Sequence, residues 1–145
     1  LKEKVIILPH PLIVNELSKL SDKVTDKIVV DARYDDILKD TAVLITDYSS
    51  IAYDAFYRGA RVVFYWEEKY YCMMQYGPST RLMLDEENVY GDFAYSTDGL
   101  SEIIERNYNN PQTEKKKKKY AHLVNFHDGK NTQRLIEFLK RDEII

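Results

Sequence analysis

Two adjacent serines, Ser49 and Ser50, lie where a predicted strand passes into a predicted helix. The stretch Ala42 to Gly59 reads AVLITDYSSIAYDAFYRG, which indicates a buried apolar strand, a polar turn at Asp47-Tyr48-Ser49-Ser50 and a short helix that ends at Gly59. A helix N-terminus carries unpaired N–H donors and a partial positive charge, so this turn suits an anion, above all a phosphate. Simple helix capping is the alternative interpretation, because serine is a preferred N-cap residue.

Two further polar residues follow predicted strands. Asp47 is a candidate for orienting the serines or for binding a ligand hydroxyl; a turn aspartate bonded to its own backbone is the alternative. His10 lies between Pro9 and Pro11, after another apolar run. Histidine titrates near neutral pH, which suits a general base or a phosphate ligand, although a lone histidine is often structural.

Two candidate sites nearer the C-terminus are less specific. His122 and His127, next to Asp128, are a conceivable zinc pair, but no cysteine pair or third histidine lies near them, and we expect no metal site. The segment Asp128-Gly129-Lys130-Asn131 opens a predicted helix in the same way as the serine turn. It is a candidate for a second anion or ribose contact, with plain capping as the alternative.

A run of consecutive lysines falls within a predicted helix: Lys115, Lys116, Lys117, Lys118 and Lys119. Such a cluster is a candidate for contact with an anionic membrane surface or a polyanionic substrate. A solvated helix face is the alternative. A five-residue run covers all sides of a helix, so we expect at least one lysine to lie along its own stem or to snorkel.

The order of the predicted elements indicates the fold class. Apolar strands at Lys4 to Leu8, Lys27 to Asp31, Ala42 to Thr46 and Arg61 to Tyr65 alternate with helical segments. This rhythm predicts an α/β fold, a Rossmann-like parallel sheet with helices on both faces. Ligands of such sheets bind beyond the carboxyl ends of the strands, so we expect His10 and the serine turn to share one crevice.

Three later segments complete the predicted fold. Trp66 to Asn88 has weak periodicity, and we expect a loop with a helical turn or two. Thr97-Asp98 is expected to cap a helix. Lys130 to Arg141 predicts a final amphipathic helix with Leu135 and Ile136 among its inward residues.

Length and composition exclude several classes of protein. The chain has 145 residues, 44% hydrophobic and 31% charged, which predicts a single domain over residues 1–145. A net charge of −3 gives no general attraction to nucleic acid, and none is expected as a partner. No apolar run approaches the ~20 residues of a membrane span. The motifs GxxxxGK[ST] and GxGxxG do not occur, which excludes classical P-loop and dinucleotide-binding proteins.

The stretch Leu44 to Asp54, LITDYSSIAYD, resembles the signature of the CDP-glycerol glycerophosphotransferase family. This family comprises the teichoic-acid primases and polymerases with related CDP-ribitol enzymes. Supporting segments follow the order of the family along most of the chain: His10-Pro11, Tyr34 to Leu38, Val63 to Tyr65, and Asp128-Gly129-Lys130 with Arg134.

The resemblance implies a fold and a set of site residues. Family members have two Rossmann-like domains facing each other across a cleft, the glycosyltransferase B arrangement, and this chain is similar to the C-terminal, donor-binding one. Ser49 and Ser50 would hold the donor pyrophosphate, and His10 would contact the donor phosphates and aid transfer. Asp128-Gly129 with Arg134 would lie near the nucleotide.

Asp47 and Tyr48 belong to the same motif and are included among the predicted substrate-binding residues. The resemblance also implies that the base for the acceptor hydroxyl is a histidine of the absent N-terminal domain. That domain is then a partner, and the chain, which begins at Leu1 close to a predicted strand, is expected to be a piece of a longer protein. No cofactor is implied, because the CDP-alcohol is a substrate. The implied location is cytoplasmic, peripheral at the inner face of the cell membrane.

The function predicted from these observations is transfer of glycerol phosphate, or ribitol phosphate, from a CDP-alcohol to a hydroxyl of a teichoic-acid-like or other surface polymer. Two alternatives stay open: the nucleotide-sugar-binding domain of a glycosyltransferase, and a non-catalytic anion-binding interaction module. The sequence departs from the family pattern at Glu67-Glu68, where an Asp-led turn is expected, and at Tyr90-Gly91-Asp92, where Pro-Gly-Pro is expected. Both departures leave the identity of the alcohol open.

Overall fold

The computed structural model describes residues 5–10, 14, 16–17, 19, 22–30, 33–77, 83–126 and 128–145. The chain divides into two compact units, residues 1–40 and residues 41–145. Whether residues 1–145 act as the single predicted domain stays a prediction.

Among its described residues, the first unit contains one parallel bridge and two short α-helices, α1 (Asp22–Thr25) and α2 (Tyr34–Asp40). Its bridge joins Ile7 to Ile28, and the Ile7 N–H donates to the carbonyl oxygen of Lys27 at 2.9 Å. The two apolar runs predicted as strands therefore meet in parallel, at a single bridge within the described residues. The helical spacing of Leu12, Ile13, Leu17 and Leu20 after Pro11 predicts a helix, and most of these residues lie outside the described ones.

The second unit is built on a three-stranded parallel sheet with the order β1-β2-β3. Its strands are β1 (Val43–Thr46), β2 (Arg61–Tyr65) and β3 (Asp92–Ala94). In the central strand the consecutive residues 62–64 are all at most 1% exposed. Successive side chains of a strand point to opposite faces, so both faces of β2 are covered. An open parallel sheet combined with helices confirms the predicted α/β, Rossmann-like fold class.

The helices of this unit follow the strands in the predicted order. They are α3 (Ile51–Tyr57), α4 (Lys69–Tyr76), α5 (Leu100–Asn109), α6 (Glu114–Leu123) and α7 (Asn131–Arg141). Both α3 and α5 pack against β1 and β2. As predicted, α3 ends before Gly59, whose φ of 99° lies in the left-handed region that glycine adopts without strain.

An aromatic cluster fills the space between α3, α6 and the sheet. The rings of Phe56 and Tyr120 lie 4.8 Å apart, and those of Phe64 and Tyr90 lie 5.5 Å apart. The Tyr120 hydroxyl donates to the carbonyl oxygen of Tyr53 at 3.1 Å, which joins α6 to α3. This cluster is the core of the unit that carries the serine turn.

Three details of the prediction are wrong. The strand β1 is not buried, since it is an edge strand of its sheet and Ile45 is 46% exposed. The N-cap of α5 is Gly99, with a φ of 72°, rather than Thr97-Asp98. Residues 69–76 form α4, a helix of about two turns, which agrees with the loop and helical turn or two predicted for Trp66 to Asn88.

The third wrong detail concerns α7. Its apolar side chains Leu135 and Ile136 are 57% and 42% exposed instead of packing inward. Among the described residues, α7 has no extensive contact with another helix or strand, so its apolar face has nothing to pack against.

Candidate functional site

The serine turn connects the carboxyl end of β1 to the first turn of α3. Ser50 occupies the N-cap position with φ −62° and ψ −18°, and its side chain makes no capping hydrogen bond. The carbonyl oxygens of Ser49 and Ser50 accept from Ala52 N–H at 3.2 Å and Tyr53 N–H at 3.0 Å. The turn is thus closed by its own backbone, and the capping alternative does not describe the Ser50 hydroxyl.

The backbone N–H groups at the start of α3 are a second feature of the turn that suits an anion. Within the described residues, no backbone carbonyl accepts from the N–H groups of Ser50 and Ile51. Ser50 is exposed and Ser49 is half-buried. Unused N–H donors beside exposed hydroxyls can hydrogen-bond the oxygens of a phosphate group without breaking an internal bond.

A buried tryptophan supports the turn from the neighbouring strand. Trp66 directly follows β2, and its Nε1–H donates to the carbonyl oxygen of Asp47 at 3.3 Å. Its ring is stacked with that of Tyr48, with the centroids 5.9 Å apart and the planes at 6°. The Tyr48 hydroxyl is buried and has no hydrogen-bond partner among the described residues, and burial raises the pKa of Tyr48. Substrate could reach this hydroxyl only after the side chain moved.

A polar group adjoins Trp66 at the carboxyl ends of β2 and β3. Lys69 lies over the Trp66 ring, with Nζ 4.7 Å from its centroid, and pairs with Glu86 at 2.5 Å. The hydroxyl of Tyr95 donates to the same carboxylate. Hydrogen bonds from Lys69 and Tyr95 lower the pKa of Glu86 to about 2, so it is an anion at neutral pH. A shallow cavity of about 290 Å³ lies here, lined in part by Trp66, Tyr70 and Tyr95.

His10 belongs to the first unit. It is exposed and lies three residues beyond Ile7, which forms the parallel bridge. Its predicted position at the end of a strand therefore agrees with the local backbone. That His10 and the serine turn share a crevice stays a prediction, as does its catalytic role.

The predicted nucleotide contact at the start of α7 is an internally paired cluster. Both oxygens of Asp128 accept from the Arg134 guanidinium, each at 2.7 Å, and Oδ1 also accepts the Lys130 N–H at 3.2 Å. These hydrogen bonds hold the pKa of Asp128 well below its usual value. Gly129 has a φ of 74°, and the Arg134 guanidinium lies 4.2 Å from the centre of the Phe126 ring.

No hydrogen bond or ring contact among the described residues joins this cluster to the serine turn. The structure therefore does not bring the two halves of the predicted site together by direct contact. A ligand anion at Arg134 would compete with the Asp128 carboxylate for the same guanidinium donors.

The lysine run is not uniform. Lys116 is mostly buried and pairs with Asp92 at 3.0 Å, and Lys117 pairs with Glu114 at 2.9 Å. Lys115 and Lys118 are exposed, and Lys119 is half-buried. Lys116 thus has a structural partner, and the others keep their positive charge at or near the surface.

A comparison with known protein families decides what kind of chain this is. The sequence model of the family described as CDP-Glycerol:Poly(glycerophosphate) glycerophosphotransferase matches residues 1–141 of the 145. The chain belongs to this family.

The family match confirms the resemblance and supports transfer of a phosphoryl-alcohol group by a transferase. No protein of curated function and no solved structure matches the chain. Among the described residues, no group of three or more His, Cys, Asp and Glu could hold a metal ion. His127, one of the two histidines weighed for zinc, lies outside those residues. In the part of the chain that the structure describes, none of the helices has the length and apolarity to cross a bilayer.

Sequence reasoning missed the residues around Trp66. Trp66 and Tyr95 are the first residues after β2 and β3, at the edge of the sheet where ligands bind, and this position was a usable signal. No signal in the sequence indicated the pairing of Lys69 with Glu86, because the two residues are 17 positions apart across a segment with weak periodicity.

Proposed function

We propose that this chain is the donor-binding domain of an enzyme that transfers glycerol phosphate, or ribitol phosphate, from a CDP-alcohol to a hydroxyl of a teichoic-acid-like or other surface polymer. The observation that carries the proposal is the family match over residues 1–141. The serine turn supports it, since at the carboxyl edge of the sheet the Ser50 hydroxyl makes no capping hydrogen bond and lies beside backbone N–H groups that no described backbone carbonyl accepts. The proposed whole enzyme also contains the N-terminal domain of the family.

The proposed reaction is a phosphoryl transfer. The acceptor hydroxyl oxygen attacks the β-phosphorus, a new P–O bond forms, and the bond from that phosphorus to the bridging oxygen breaks, so that CMP leaves. Negative charge grows on the bridging oxygen and on CMP. Donors of the serine turn would stabilise that charge, and their fixed positions mean that little reorganisation is needed during the reaction.

The other predicted residues receive roles in the same proposal. His10 contacts the donor phosphates, and a histidine of the N-terminal domain takes the proton of the acceptor hydroxyl. Asp128, Gly129 and Arg134 contact the nucleotide, with Asp128 orienting the guanidinium until the ligand engages it. Tyr48 contributes through the backbone of the turn, because its hydroxyl is buried, and the exposed Asp47 orients the serines or binds a ligand hydroxyl.

The proposed location is the cytoplasmic side of the cell membrane, where a polymer acceptor is held. Lys115, Lys118 and Lys119 are the proposed contacts with an anionic surface, together with Lys117. Lys116 is excluded from this role, since its ammonium group is bound to Asp92.

Calorimetric titration with CDP-glycerol, CDP and UDP tests the proposal. We expect cytidine-selective binding that Ser50→Ala and His10→Ala both weaken. Ser101→Ala is the matched control, an exposed serine in the first turn of α5, and should bind as the parent chain does. Preference for UDP would favour the glycosyltransferase alternative. Equal binding of any polyanion, unaffected by Ser50→Ala and abolished by salt, would favour the interaction module.

A further inference from the structure

Trp66 is the only tryptophan of the chain, and it is 1% exposed. Aromatic rings cover it on two sides: Tyr48, stacked at 5.9 Å, and Phe93 of β3, at 5.4 Å with the planes at 19°. The indole is thus held between the turn that follows β1 and the strand at the far side of β2. Its position is set by three neighbouring strands rather than by its own loop.

The indole N–H is directed at the serine turn. It donates to the carbonyl oxygen of Asp47, two residues before Ser49. The last residue pair of the β1–β2 ladder is Thr46 with Phe64, so the turn begins where the regular pairing of strands ends. Among the described residues, no backbone N–H donates to the Asp47 carbonyl. Trp66 therefore replaces the ladder hydrogen bond that the turn lacks.

We infer that Trp66 is a positioning residue for the serine turn: its N–H and its stack on Tyr48 fix Asp47-Tyr48, and thereby the direction of the Ser49 and Ser50 donors. The inference rests on the proposed function for its consequence in ligand binding. Donors bind a phosphate tightly only when folding has already fixed their orientation, because no conformational freedom is then lost on binding. A turn released from the indole would sample other orientations and lose part of that advantage.

A residue in the aromatic core could serve stability alone, and a matched variant separates the two roles. Trp66→Phe removes the hydrogen bond to the Asp47 carbonyl and keeps an aromatic ring. Tyr120→Phe likewise removes one hydrogen bond from an aromatic side chain to a backbone carbonyl, that of Tyr53, the third residue of α3. Both variants are compared at a temperature where each is fully folded.

The first measurement needs no ligand. Amide hydrogen exchange of Ala52, whose N–H closes the turn by donating to the Ser49 carbonyl oxygen, should rise at least about fivefold in Trp66→Phe, as expected for loss of one hydrogen bond, and stay unchanged in Tyr120→Phe. In the parent chain, the single indole N–H resonance should exchange slowly. Exchange at the rate of free indole, or equal exchange of the turn in both variants, would overturn the inference. The indole measurement decides the matter even if Trp66→Phe does not fold.

The second measurement titrates CDP-glycerol. The indole resonance and the Trp66 fluorescence of the parent chain should change as the ligand binds, and Trp66→Phe should bind about five- to tenfold more weakly than Tyr120→Phe. Unchanged affinity in Trp66→Phe, with Ser50→Ala still weakened, overturns the inference and leaves the proposed function standing. Failure of the parent chain to bind removes the proposed function, while the exchange data still decide whether Trp66 holds the turn.

Discussion

The Nζ of Lys116 lies 3.0 Å from Oδ2 of Asp92. This ion pair holds one lysine of the five-lysine run in a mostly buried position. Asn107 donates to the same carboxylate oxygen at 2.6 Å, and Arg106 lies at 3.3 Å from it. Asp92 is the first residue of β3, so this network joins the sheet to α5 and α6. The charge pattern alone presents five equal lysines, whereas the fold gives one of them a structural partner.

Lys116→Ala should lower the free energy of unfolding by about 1 to 2 kcal/mol, because it leaves a mostly buried carboxylate with one fewer donor. Lys118→Ala, in the same run but exposed, should change it by less than about 0.5 kcal/mol. Urea unfolding of the two variants measures the difference. Equal losses would show that the ion pair with Asp92 adds nothing to stability.

Asp92 should also make the fold sensitive to acid. Burial acts to raise its pKa, but hydrogen bonds from Asn107 and Lys116 outweigh it and the pKa of Asp92 lies below its ordinary value. In the unfolded chain an aspartate takes up a proton near pH 3.9. Below about pH 5 the unfolded state therefore binds more protons than the folded state does. The stability that Asp92 contributes is lost as the pH falls through its folded pKa.

The Tm of the parent chain should accordingly fall more steeply than that of Asp92→Asn between about pH 5 and pH 3. Asp98→Asn removes an exposed carboxylate outside any ion pair of the described residues and should keep the slope of the parent chain. Thermal unfolding over this range is the measurement. If Asp92→Asn has the parent slope, the network does not hold a charged carboxylate.

Two buried tyrosines of the aromatic cluster should respond in opposite ways to the same substitution. In the described part of the chain the buried Tyr90 hydroxyl has no hydrogen-bond partner, whereas the Tyr120 hydroxyl donates to the Tyr53 carbonyl oxygen. Tyr90→Phe should leave stability unchanged or raise it, and Tyr120→Phe should lower it by about 1 kcal/mol. Chemical denaturation of both variants tests this, and a loss in Tyr90→Phe as large as that in Tyr120→Phe would show that the Tyr90 hydroxyl has a partner.

Gly91 should not tolerate a side chain. A Cβ atom there would lie 2.4 Å from the Val62 carbonyl oxygen and 2.9 Å from the Phe64 ring, and the first of these is backbone of the central strand. Gly91→Ala should destabilise the chain by about 2 kcal/mol or more through overpacking. Ser96→Ala, at an exposed position just beyond β3, serves as the control. A Tm within a degree or two of the parent for Gly91→Ala would contradict the close approach.

The exposed apolar face of α7 should contribute little to the free energy of unfolding. Leu135→Gln and Ile136→Gln should each change the free energy of unfolding by less than about 0.5 kcal/mol, since neither side chain is buried. Leu38→Gln, at a buried position, should cost several times as much. Denaturant unfolding of the three variants measures this, and a large loss at Leu135 would mean that α7 packs inward in solution.

Sequence alone determined the parts of this protein that depend on neighbouring residues. The alternation of apolar runs with helical segments predicted the parallel sheet, and β2 was placed at its observed bounds because a short continuous apolar run is typical of a covered parallel strand. The serine turn was equally local, since a strand, two serines and a helix within 18 residues leave little freedom in where the hydroxyls lie. The family signature adds the chemistry to the same stretch.

Only the tertiary structure decided which of these residues already have partners. Arg134 is bound to Asp128 and Lys116 to Asp92, whereas the Ser50 hydroxyl makes no capping hydrogen bond to α3. Trp66 reaches Asp47 across 19 residues of sequence. Such contacts depend on how strands and helices are stacked, and the spacing of residues along the chain carries no record of it. A sequence can therefore name the groups able to bind a phosphate, and the packing of the chain decides which of them remain available.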